Sequence, residues 1–178
     1  DMFQTARTLC WQDKTTEEIP LLNQVLKSIQ TRGKNYWKDI WNRASKKPGG
    51  AFFVLFEETE SAKEKIIGIT DVFFRVSAEQ VPYASFEGSH ILSPYRGRRL
   101  ADLFYEARIN YSSLHRDCPF AIVNIRRNNI ASTQAAERNG FSVLGIVENL
   151  SDASKDILQL SYDLNSVRNP KPTPGNDG

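Results

Sequence analysis

Apolar positions along the chain change period several times, and each change marks an element. Phe3 to Trp11 reads as a first strand. A helix start follows at Thr15 or Thr16, with Ile19, Leu22, Leu26 and Ile29 at helical spacing. "NYWKDIWNRASKK" predicts a second helix with Trp37, Ile40, Trp41 and Ala44 on one face, and "KPGG" ends it. The runs "AFFVLFEE", "IIGITDVFFRVS" and "YASFEGSHIL" are rich in β-branched and aromatic residues and predict three consecutive strands. The first two of these are joined by a charged connection, Glu60 to Lys65.

The pattern then becomes helical. Leu100, Leu103, Phe104, Ala107, Tyr111 and Leu114 recur at helical steps and predict an amphipathic helix. "CPFAIVNI" reads as a buried strand, and a short helix runs from Ile130 to Arg138 with Asn129 as N-cap and Gly140 near its end. "FSVLGIVEN" and "ILQLSYDLN" are the last strands. The order β-α-α-β-β-β-α-β-α-β-β predicts an α/β protein with a central mixed sheet and helices on both faces. Residues 1–165 read as one domain, and 166–178 as a polar Pro/Gly-rich tail that is disordered.

Composition narrows the classes. The 178 residues suit a single domain, and 40% hydrophobic with 25% charged residues is a globular composition. A formal net charge of +2 gives no reason to expect a nucleic-acid partner. No apolar run has the length of a membrane span, and no signal-peptide pattern opens the chain. The cysteines, Cys10 and Cys118, lie far apart without metal-ligand spacing, so a reduced, cytoplasmic protein without a metal is expected.

The candidate chemistry lies in "ILSPYRGRRLA", Ile91 to Ala101, where a strand ends in a basic corner that opens a helix. A helix N-terminus leaves backbone N–H groups unpaired, and its dipole favours an anion. This stretch resembles the strand-turn-helix cofactor motif Arg/Gln-x-x-Gly-x-Gly/Ala of the GNAT acyltransferases. "NNIASTQAAERNGF", Asn128 to Phe141, is similar to that family's second motif, an Asn-x-x-Ser/Ala helix ending in Gly-Phe. The element order matches over nearly the whole chain.

The resemblance implies an N-acetyltransferase that moves an acetyl group from acetyl-CoA to a primary amine by direct attack. The acceptor is a small molecule or a protein, and the protein is a monomer or homodimer. Arg96, Gly97, Arg98, Arg99, Leu100 and Ala101 would hold the pyrophosphate. Arg99 stands where the motif has glycine, and it fits if its backbone is helical. Ile91, Leu92 and Ser93 would pair with pantetheine, with the N–H of Ile91 or Leu92 polarising the thioester carbonyl. Asn129 (or Asn128, one register away) and Ser132 would face the cofactor. No covalent intermediate, and so neither cysteine, is needed. The position of the family's proton-donating tyrosine is Ala136 here. Ser132 or Tyr162 are substitutes, and a CoA-binding module without catalysis is the alternative.

For the base, Glu87, His90 and, less directly, Asp71 are candidates on the central strands. Strand alternation puts Glu87, Ser89 and Ile91 on one face and His90 on the other unless a bulge intervenes. His115 reads as a surface residue at a helix end. Tyr36, Trp37 and Trp41 read as core or as an aromatic acceptor wall.

Overall fold

The structure, a computed structural model, describes residues 50–57, 65–115 and 117–169. The expected first strand, the first two helices with their aromatic cluster, most of the charged connection and the end of the tail lie outside those residues. Three strands come first: β1 (Ala51–Glu57), β2 (Lys65–Val76) and β3 (Pro82–Ile91). Then follow α1 (Leu100–Ser113), β4 (Phe120–Arg126) and α2 (Ile130–Arg138). β5 (Ser142–Val147), β6 (Ile157–Asp163) and the short α3 (Asn165–Arg168) complete the described chain.

The strands form one six-stranded sheet in the order β1-β2-β3-β4-β6-β5. β3 and β4 are parallel, and every other neighbouring pair is antiparallel. The mixed sheet expected from the element order is therefore present. The helix between β3 and β4 is what a parallel crossover requires. α1 and α2 lie on the same face. Tyr105 and Ile109 of α1 and Ala135 and Ala136 of α2 share one core with Phe53, Phe86, Val123 and Leu160. Asp102 of α1 also holds Arg138 and Asn139, both at 3.0 Å.

The buried face of α1 is turned relative to its apolar pattern. Tyr105, Arg108, Ile109 and Ser112 are buried beside Leu100 and Phe104, while Leu114 is exposed. Arg108 is the reason a pattern of apolar residues misplaces this face. Its guanidinium lies over the rings of Phe86 (4.6 Å) and Tyr105 (4.7 Å), and its Nε donates to Phe104 O at 3.2 Å. A weakly hydrated planar cation stacks on aromatic faces more readily than an ammonium does. Burial lowers the pKa of the guanidinium and raises that of the neighbouring Tyr105 phenol.

The end of α1 is also not a surface feature. His115 is half-buried, with its ring 4.1 Å from Phe74 and 5.2 Å from Tyr111. Burial, then the nearby Arg168 cation, lowers its pKa, so the expectation of a dipole-favoured surface residue does not hold. Arg168 sits on α3, where the sequence reading already had the polar tail. Its Nε donates to Ser113 O at 2.9 Å, and its Nη2 donates to Cys118 O at 2.8 Å and to His115 O. These are carbonyls at and beyond the end of a helix, which lack intrahelical donors and favour a cation. Charged hydrogen bonds of this kind contribute about 1.5–3 kcal/mol. Arg168→Ala should lower stability by about 2 kcal/mol, read as a lower urea midpoint at unchanged slope. An unchanged midpoint would mean that water replaces these bonds without loss.

Candidate functional site at the strand crack

β3 and β4 pair at only three positions, Ala84–Ala121, Ser85–Ile122 and Phe86–Val123. Beyond them β3 stays with β2 as far as Ile91, and β4 stays with β6 as far as Arg126. The sheet opens between them, so the edge of β3 from Glu87 onward has no ladder partner on that side. Both strands run toward the same end. The N-termini of α1 and α2 therefore flank the mouth of the crack, the usual position of ligands in sheets with parallel strands.

Of the two N–H groups considered for the thioester, that of Leu92 is already used: it donates to Ile67 O at 2.9 Å. Successive residues of a strand direct their N–H and C=O groups to opposite sides. Ile91 therefore points its N–H into the crack. Its carbonyl accepts from Arg96 Nε at 2.9 Å, which ties the basic corner to the strand end.

The condition set for Arg99, a helical backbone, is not met at the corner. Arg99 is the N-cap of α1 with φ 57° and ψ 17°, a left-handed conformation and not a helical one. The motif's glycine would adopt this without a Cβ penalty. The Arg99 side chain makes no capping bond. In the first turn the Asp102 N–H is held by Arg99 O at 2.9 Å, while those of Leu100 and Ala101 face the end of the helix. Gly97 has φ 78°, and a Cβ there would meet nothing within 4 Å, so the space above the loop is open. Arg98 lies 5.5 Å above the Tyr95 ring, and Arg96, Arg98 and Arg99 are all exposed. An open, donor-rich, basic corner beside an unpaired strand edge fits a diphosphate with a peptide-like arm.

The bulge left open by alternation is present and changes the face assignment. Asp71 pairs opposite Glu87 and Ile69 opposite His90, with the register shift between them. Residues 69 and 71 share a face, so Glu87 and His90 share it too. Gly88, at φ 47°, absorbs the extra residue. Ser89 turns to the other face, where its Oγ lies 2.7 Å from Thr70 Oγ1. Alternation alone thus separates two candidates that the bulge brings together, beside buried Asp71.

Sequence reasoning missed two residues that orient Glu87. Arg75 reaches Glu87 Oε1 with both Nε (2.9 Å) and Nη2, and Ser85 Oγ donates to the same oxygen at 3.0 Å. The signal was available, because Ser85 is two residues from Glu87 and a β2–β3 hairpin brings Arg75 across from Tyr83. These three donors on Oε1 leave Oε2 as the acceptor toward incoming groups.

On α2, Asn129 Oδ1 accepts from Ser132 N–H at 3.3 Å, the N-cap bond expected from sequence. Asn129 and Asn128 are exposed, and Ser132 is partly so. Ala136 is fully buried in the core. A tyrosine there would overfill that core. Tyr162 pairs opposite Ala121, in the closed part of the sheet, with its ring 5.3 Å from Phe141. Burial, the largest influence on the Cys118 thiol, raises its pKa, the opposite of an activated nucleophile. Among the described residues, no three His, Cys, Asp or Glu side chains are grouped to hold a metal ion.

We expect Arg99→Gly to raise stability by about 1 kcal/mol, the approximate penalty for a non-glycine residue in this backbone region. Thermal and urea unfolding check it, and a destabilised variant would show that the Arg99 side chain contributes more than its backbone loses.

No family model and no curated protein matches this chain. Solved structures do. A spermidine N-acetyltransferase SpeG chimera from Vibrio cholerae and hSSAT superposes with a TM-score of 0.62 at 15% identity, covering 93% of this chain and 99% of that one. An acetyltransferase of the GNAT family from Streptococcus pneumoniae gives 0.58 at 14% identity, with 89% and 98% covered. A nourseothricin acetyltransferase gives 0.53 at 16%, with 66% of each chain covered. The cracked sheet and the likeness to these structures agree that this chain has the fold of the GNAT N-acetyltransferases.

Proposed function

We propose that the chain is an acetyl-CoA-dependent N-acetyltransferase acting on a primary amine by direct attack. The observation that carries this reading is the unpaired β3 edge running into the open N-terminal corner of α1. The pyrophosphate would lie on the N–H groups of Leu100 and Ala101, with Gly97 leaving room and Arg96, Arg98 and Arg99 supplying positive charge. The pantetheine arm would follow Ile91 to Ser93, and the Ile91 N–H would polarise the thioester carbonyl. Asn129 has its amide nitrogen left for a pantetheine carbonyl, and Ser132 has its hydroxyl left for the departing sulfur.

In the reaction, the amine nitrogen forms a bond to the acyl carbon and the carbon–sulfur bond breaks. The amine proton passes, directly or through one water, to Glu87 Oε2, with His90 on the same face as the second acceptor. Asp71, buried opposite Glu87, is the less direct candidate for the same proton. The sulfur leaves as a thiolate, whose modest basicity makes a strong acid unnecessary. Cytoplasmic acetyl-CoA would supply the acyl group. Several structural neighbours are named for spermidine, which makes polyamines the first acceptors to try. The second reading, a CoA-binding module without catalysis, draws on Ala136 in place of the family's tyrosine.

Acetyl-CoA at about a hundredfold excess over its Kd should add about 2.7 kcal/mol of stability, a rise in Tm of roughly 5–10 °C. Gly97→Glu should abolish that rise by placing a carboxylate at the phosphate site. No shift with millimolar acetyl-CoA would refute cofactor binding. CoA release with a panel of amines separates the two readings, since binding without turnover on any amine favours the module. Glu87→Gln should keep the thermal shift, lower kcat by about a hundredfold and flatten the acidic limb of the pH profile. An unaltered profile would remove Glu87 as the base.

A further inference from the structure

We infer that β5 is an interface with a second copy of this chain, the two β5 strands pairing antiparallel about a two-fold axis. β5 is the last strand of the sheet, bound on one side by β6. Among the described residues nothing pairs with its outer edge. All six of its residues are exposed, on both faces, including Val143 (51%), Leu144 (59%), Ile146 (45%) and Val147 (57%). Leu150, just beyond, is fully exposed, and Ile130 at the start of α2 is exposed as well. Monomeric proteins protect such edges with lysine, proline, inward charge or strong twist. "SVLGIV" has no charge and no proline. Its one irregularity is a bulge at Leu144.

The strand is complementary to itself. Val143 and Ile146 pair opposite Leu160 and Leu158, so the bulge puts both on one face. With the axis between Leu144 and Gly145, Val143 meets Ile146 of the second copy on that face. Leu144 meets Gly145, a large residue opposite a residue without a side chain. No like charges face each other along the strand. Self-complementarity of this kind is what an isologous contact requires, and β-branched cross-strand pairs stabilise it.

Gly50 and β1 lie at the opposite edge of the described sheet, five strand spacings or about 24 Å from β5. Residues 170–178, "PKPTPGNDG", carry no aliphatic or aromatic side chain apart from proline. A second β5 supplies both the missing hydrogen bonds and apolar cover. The inference is independent of catalysis.

Light scattering after size exclusion of the full chain at high micromolar concentration should give twice the 20.2 kDa chain mass. Leu144→Lys, which sets two ammonium groups beside the axis, should give the single-chain mass. In the wild type, those amides of Val143–Val147 that face away from β6 should exchange slowly and should quicken on dilution. A wild-type monomer at that concentration overturns the inference, as does a dimer that Leu144→Lys leaves intact. A monomer in which the amides facing away from β6 are protected would also overturn it, because another segment of the chain would then cover the strand. If Leu144→Lys fails to fold, wild-type exchange decides, and protection unaffected by dilution overturns the proposal.

Discussion

β3 and β4 share three residue pairs before each continues with a different antiparallel neighbour. β3 is held by β2 and β4 by β6, and each of those ladders runs nearly the full length of its strand. A parallel pair is slightly less stable per residue than an antiparallel one, so the sheet opens at this joint. The opening leaves backbone groups of β3 unpaired next to a helix start with open N–H groups. Such groups need partners, and under the proposed function the amides and phosphates of the cofactor would supply them.

The chemistry of the crack depends on details that adjust this geometry. Gly88 inserts one residue and turns Glu87 and His90 to the same face, beside Asp71. Arg75 and Ser85 then hold one oxygen of Glu87, so the orientation of the carboxylate is fixed by the strands themselves. Arg96 bonds the Ile91 carbonyl and couples the anion corner to the strand edge. Below the joint, Arg108 lies across Phe86, whose pairing with Val123 is the last of the ladder. The core face of α1 thus meets the sheet at the point where it divides.

Much of the fold was legible because burial repeats with the period of the backbone. The strands of the described region, the helix after the arginine corner and the Asn129 cap all follow from local pattern and local hydrogen bonding. Within the candidate site, the corner before α1 and the strand that carries Glu87, His90 and Ile91 were legible as elements. The misreadings share a cause. A pattern of apolar residues includes Leu114, which is exposed, and leaves out Arg108, whose guanidinium lies buried on aromatic rings. His115 was given to the surface because the cover from Phe74 and the approach of Arg168 come from distant parts of the chain. For Arg99 the helical backbone that would let it fit the motif is absent, and it takes the left-handed conformation that the motif's glycine would take.

By itself, the sequence determined the order of the described elements, the mixed sheet and the position of the basic corner before a helix start. Each of these depends on side-chain periodicity or on chemistry within one turn of the chain. Only the tertiary structure decided which N–H faces the crack, on which face Glu87 and His90 stand, and that the residues of β5 are exposed on both faces. Those facts depend on register. A register is the sum of pairings among residues far apart in the chain, and one inserted residue at Gly88 reverses the face of those that follow.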